Sequence, residues 1–288
     1  MGVGGDGVTT SLETLFGETT WPESLPTHLS ASQITMFQRC REQYRRRYIL
    51  GEKERPGAAL VWGSADHYAH EVNFAQKIES HTDLPLADVE LAFAEGFDAA
   101  VERNGGESEV EWGKDKPGAM KDDGVKLVAA YHKLVSPKVQ PTAVESEFSL
   151  EIPGVAVPVI GRIDLETAGP AIERKTAKRS SKTVDPKWRI QGLIYQLAHG
   201  KSVDWHLSIK SKVPNIVTPE TEPGLTLPYV PGVARAAETL IAHTAAAILS
   251  DYSRLGPDEP WEGAITHPWA CVGGFCGYKS TCFWWGNA

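Results

Sequence analysis

The chain has 288 residues, 41% of them hydrophobic and 23% charged, with a formal net charge of -8. That length supplies a substantial core for one large domain or two small ones, and no apolar run reaches the roughly 20 residues of a membrane span. The acidic balance argues weakly against nucleic acid as a partner when taken alone. The Gly-rich stretch Met1 to Thr10 lacks the basic-then-apolar pattern of a secretory leader, so a cytoplasmic protein is expected.

Residues 1 to about 28 read as a flexible tail. Gly2, Gly4 and Gly7 spell G-x-G-x-x-G, but no strand can precede them, so a dinucleotide loop is rejected. Leu29 to Tyr48 reads as a helix with Ser30 or Ser32 as N-cap and Ile34, Phe37, Tyr44 and Tyr48 on one face. A second helix, Ala58 to Lys77, carries Gly63, His67 and Glu71. A third, Leu86 to Arg103, has a regular stripe of Val89, Phe93, Phe97 and Val101 and ends at Asn104-Gly105-Gly106. A fourth runs from Met120 to Val135 and stops at Ser136-Pro137.

The period then changes. Val144 to Ile152 alternates, with Val144, Ser146, Phe148 and Leu150 on one side and Glu145, Glu147 and Ser149 on the other. Val155 to Leu165 and Ala171 to Thr176 are two further strands. A helix from Pro186 to His199, a strand from Ser202 to Lys212, a Pro- and Thr-rich loop from Val213 to Gly224 and a long Ala-rich helix from Val230 to Leu255 follow. Helices, three strands, helix, strand, helix is the order of an α/β protein with a mixed central sheet flanked by helices.

Two of these strands carry chemistry that a strand interior normally excludes. Asp164 sits between Ile163 and Leu165, and Glu173 follows Ala171-Ile172. Glu173 and Lys175 are two residues apart and leave the same face of a strand. Burying an unpaired carboxylate costs several kcal/mol, so a partner is required. A divalent cation is one; an ion pair of Asp164 with Lys175 or Arg162 is the plainer alternative. His67 and Glu71 share a helix face, as do Gln191 and Tyr195. Tyr195 reads equally well as a core aromatic with its hydroxyl at the surface.

The ordered set Gly63-x₃-His67, Gly161-x-Ile163-Asp164, Glu173-x-Lys175 and Gln191-x₃-Tyr195, opened by Leu29-Ser30-Ala31-Ser32-Gln33-Ile34 and Cys40, resembles the RecB-like branch of the PD-(D/E)XK nuclease superfamily. The resemblance covers about residues 29 to 285. It implies a restriction-endonuclease-like core with an N-terminal helical region and a Cys-rich C-terminal tail. Residues 29 to 288 would form one nuclease domain: a helical insertion at about 78–137, a core at about 142–212, and a C-terminal helix and cluster-binding tail at 229–288. It implies Mg²⁺ or Mn²⁺ held by His67, Asp164, Glu173 and the carbonyl of Arg174. Asp164, Glu173 and Lys175 would form the catalytic set, and Gln191 and Tyr195 would contact DNA. Glu71 and Glu147 would be supporting groups at most. The implied activity is hydrolysis of DNA, acting on single-stranded ends as an exonuclease.

Four cysteines remain: Cys40, then Cys271, Cys276 and Cys282 in C-x₄-C-x₅-C. Four thiolates gathered by folding suit zinc or an iron–sulfur cluster. The one-plus-three split resembles the CRISPR-associated type 4 exonucleases and AddB-type nuclease subunits, which implies a [4Fe–4S] cluster joining the two ends of the chain, shielded by Trp269, Phe275, Phe283, Trp284 and Trp285. The Val272-Gly273-Gly274-Phe275 spacer is longer than that pattern expects. Basic residues at Arg41, Arg45, Arg46, Lys178, Arg179 and Lys182 are expected along the DNA path, unless they are solvated helix faces. The chain has no G-x₄-G-K-[ST] loop and hence no motor of its own. An alternative role is a DNA-end-binding subunit working with recombination or CRISPR adaptation proteins, and a third is a zinc-stabilised scaffold.

Overall fold

Helix initiation follows local side-chain chemistry. In the computed structural model, which describes residues 20–210, 213–264, 271 and 276–285, Ser30 caps helix α1 (Ala31–Arg39) by accepting the Gln33 N–H at 3.3 Å. The single helix expected from Leu29 to Tyr48 breaks at Cys40. Its backbone is extended, and its Sγ accepts the Gln43 N–H at 3.4 Å, so that it caps a new short helix, α2 (Arg41–Tyr44). A π-helical turn, Arg45–Ile49, follows. Most of the expected tail, Ser211 and Lys212, and the expected shielding residues Trp269 and Phe275 lie outside the described residues.

The chain folds as two compact units, one from Met1–Glu52, Ser149–Ile160 and Arg235–Ala288, the other from Lys53–Phe148 and Gly161–Ala234. In the first, Phe37, Tyr44 and Trp261 pack as an aromatic cluster with ring centroids 5.4–6.4 Å apart. Arg41 donates to Asp251 at 3.0 Å, tying α2 to the long helix that runs from Pro231 to Leu255. Two main-chain bonds anchor the residue before the α1 cap: Leu29 N–H donates to Pro158 O and Ile160 N–H to Leu29 O, both at 2.9 Å.

The second unit opens with α3 (Ala58–Ser80), α4 (Leu86–Arg103) and α5 (Pro117–Leu134). Their apolar stripes meet around Trp62, Phe93, Phe97 and Leu127, all at most 3% exposed. Gly124 is required there, since a Cβ would lie 2.0 Å from the Phe93 ring. The sheet has six strands: β1 (Pro141–Leu150), β2 (Val159–Thr167), β3 (Ala171–Ala177), β4 (Val203–Ile209), β5 (Asn215–Val217) and β6 (Thr226–Leu227). Strands β1 to β5 are adjacent in that order, and β6 pairs with β4. β2 and β3 are antiparallel, and β3 and β4 are parallel through the crossover helix α6 (Pro186–His199). The expected mixed sheet flanked by helices is therefore present. β5 and β6 fall in or beside the segment read as loop, where two or three residues between prolines give no periodic signal. Gly161 admits Phe148 from β1, whose ring would stand 2.4 Å from a Cβ. Among the described residues no helix is long and apolar enough to cross a membrane.

Candidate metal centre and active site

The register Leu165↔Ile172 between β2 and β3 sets Asp164 opposite Glu173. Asp164 Oδ2 accepts the Arg174 main-chain N–H at 2.8 Å, which fixes the carboxylate. His67, from the middle of α3, brings Nδ1 to 3.4 Å from Asp164 Oδ1, and Glu145 from β1 brings Oε1 to 3.9 Å from the same nitrogen. These three side chains each offer one ligand atom, all within 4.8 Å of one another.

Glu173 is only 1% exposed and is held from three directions. Gln191 donates to its Oε1 at 2.9 Å, Lys175 pairs with that same oxygen, and the Tyr195 hydroxyl lies 2.9 Å from Oε2. The hydroxyl also lies 2.7 Å from the Arg162 carbonyl, so its single proton is shared between two acceptors. Gln191 and Tyr195, expected to face DNA, are thus found holding a carboxylate. Tyr195 is 4% exposed and is a core aromatic with a buried polar tip.

The electrostatics follow from crowding charge away from water. Burial works against protonated His67, but Asp164 and Glu145 overcome it and push its pKa up to about 10. Burial would raise Asp164, yet His67, Lys175 and Arg174 hold it below the usual carboxylate range. Glu173 moves the other way: burial and the neighbouring Asp164 raise it, against Lys175. Burial lowers Lys175, and Glu173 and Asp164 more than offset this, so it stays charged. Acidic groups that hold a histidine protonated so far above neutrality form a field that demands positive charge. One imidazole among carboxylates is a donor set that can hold a divalent cation.

The opposite face of β3 is different. Arg174, a residue only 2% exposed, pairs through its side chain with Asp66, one residue before His67 on α3. His70 lies 3.6 Å from Asp66, and the Tyr131 hydroxyl lies 2.8 Å from His206 Nδ1. Neither this layer nor Glu145 was marked by sequence reasoning. The signal for the layer was Arg174 itself, a cation alternating with Glu173 and Lys175 in a buried strand.

The remaining expected residues divide. Arg45, expected on the DNA path, is instead 7% exposed and committed to both oxygens of Glu42 at 2.9 and 2.8 Å, so it is a buried structural ion pair. Arg46 pairs with Glu52. Lys178 and Arg179 are exposed just beyond β3, and Glu71 and Glu147 are exposed. Cys40, Cys271 and Cys282 carry free thiols. Burial pushes the Cys40 thiol up, the Gln43 and Ala264 N–H groups draw it down, and Cys282 and Cys271 lie close enough to act on it.

With this geometry in place, the comparisons are direct. Residues 28–283 match the PD-(D/E)XK nuclease superfamily, and the chain belongs to it. A crystal structure from Eubacterium rectale, named provisionally as an exonuclease, is similar at 14% identity with a TM-score of 0.49, covering 86% of this chain and 88% of its own. The protein SSO0001 is similar at 12% identity with a TM-score of 0.38, covering 94% and 91%. No curated protein matches the chain.

Proposed function

We propose that this protein is a divalent-metal-dependent deoxyribonuclease that hydrolyses phosphodiester bonds from single-stranded DNA ends, and that it belongs to the RecB-like branch of its superfamily. The observation that carries the reading is the convergence of Asp164, Glu173 and Lys175 with His67 on one side of the sheet. A divalent cation bound at His67 and the carboxylates would supply Lewis acidity and neutralise charge on the phosphoryl oxygens. The chain's own groups do the rest. Lys175 presents a fixed positive charge where negative charge builds on the phosphate. Glu173 orients Lys175, and Tyr195 and Gln191 keep Glu173 from rotating. Lys178 and Arg179, exposed beyond the end of β3, meet the DNA backbone without reading bases.

The four cysteines are read as ligands of a [4Fe–4S] cluster that stabilises the first unit, with zinc as the competing occupant. The closeness of Cys271 and Cys282 to the Cys40 thiol supports this. Iron analysis with a visible absorbance band checks it, and stoichiometric zinc without iron contradicts it. The activity is tested with end-labelled single- and double-stranded DNA in Mg²⁺, Mn²⁺ and EDTA. Metal-dependent release of labelled nucleotides from ends is expected, and binding without cutting would replace the enzyme with an end-binding subunit.

A further inference from the structure

Among the described residues only two non-glycines have positive φ, His81 at 57° and Glu145 at 50°. His81 has an ordinary reason: it is the left-handed C-cap of α3. Glu145 has none of that kind. It lies in the middle of β1, where L-residues avoid this conformation and where left-handed residues accompany bulges that re-aim a side chain. The re-aimed carboxylate is largely buried, with its side chain 12% exposed. Arg162 Nε holds one oxygen at 2.6 Å, and the other faces His67 Nδ1 at 3.9 Å. Phe148, three residues on, packs closely against Gly161 of β2.

We infer that Glu145 is a ligand of the divalent cation, delivered to His67 and Asp164 by this left-handed kink and steadied by Arg162. Glu173, bonded to Gln191, Tyr195 and Lys175, also positions Lys175 beside that cation. The inference rests on the metal-dependent reading above. Strain of this sort persists where the surrounding structure over-determines it and where function uses it.

The test is Mn²⁺ binding to the full chain without DNA, followed by electron paramagnetic resonance, with thermal unfolding recorded for each protein. Glu145→Gln is expected to weaken Mn²⁺ by at least about ten-fold, whereas Glu151→Gln, just beyond the same strand and exposed, leaves it unchanged. Glu145→Gly removes both ligand and strain, so it raises the unfolding temperature while losing Mn²⁺; it also serves if Glu145→Gln does not fold. Asp164→Asn provides the reference loss. If Asp164→Asn loses Mn²⁺ and the Glu145 variants bind within about two-fold of wild type, a factor small beside a ligand's contribution, Glu145 is not a ligand and the nuclease reading stands. If Asp164→Asn also binds like wild type, the metal site is misplaced and both readings fall.

Discussion

The two faces of β3 handle buried charge in opposite ways. On one, Glu173 and Lys175 join His67 and Asp164 in a set that keeps an opening: the His67 and Lys175 side chains are 32% and 27% exposed. On the other, Arg174 and Asp66 are each 3% exposed at the side chain, beside a His70 that is fully buried. The open face holds charges that a ligand can complete. The sealed face holds a pair complete in itself, and that pair ties α3, which carries His67, to the strand that carries Glu173 and Lys175. One strand thus supplies both Glu173 and Lys175 to the open face and the clamp that holds it against the helix.

Breaking the open face should abolish activity and spare the fold. Asp164→Asn and Lys175→Ala are each expected to reduce DNA cutting by about a thousand-fold or more, the scale of removing a preorganised charge from a transition state, with unchanged circular dichroism. Breaking the sealed face should do the reverse first. Arg174→Met leaves Asp66 as an uncompensated buried charge and is expected to cost about 3–5 kcal/mol of stability, whereas Asp66→Leu with Arg174→Met recovers most of it. Urea unfolding of the single and double variants measures both.

The sealed face also sets an acid limit. Burial and the Arg174 charge hold His70 down at about 4 and His206 at about 3, against about 6.5 in an unfolded chain. The unfolded state therefore binds more protons below pH 6.5, and stability falls as pH drops from there towards 4. The lowered Asp66 adds its own loss only below the ordinary carboxylate range. His67, raised to about 10, contributes fully below pH 6.5 and loses its contribution as pH rises towards 10. Urea midpoints at pH 7.5, 5.5 and 4.5 should decline, and His70→Gln should flatten the decline.

The smallest effect sharpens the contrast at the rim of the open face. Gly63 lies one turn before His67, and a Cβ there would meet nothing within 4 Å. Gly63→Ala is expected to stabilise the helix by about 1 kcal/mol while slowing cutting, because the bare surface lets the substrate backbone approach. Equal turnover in the stabilised variant would remove that role.

Sequence periodicity made the helices from Ala58 onward and four of the strands legible, because each buries one face. It could not show the break at Cys40, where a thiol competes for a main-chain N–H, nor β5 and β6, which are too short to alternate. Asp164, Glu173 and Lys175 stood out as charges in apolar runs. Glu145 did not: in an alternating strand an acidic residue reads as solvent-facing, and only the left-handed kink turns it inward. Arg45 misled because local charge density does not reveal a partner such as Glu42 three residues away on the inner face.

The most direct test is a crystal of the protein soaked in Mn²⁺ and measured at the manganese absorption edge. An anomalous peak within coordination distance of His67 Nδ1 and Asp164 is predicted, with Lys175 beside it. Manganese bound only elsewhere, or no peak under conditions where the protein cuts DNA, would contradict the account.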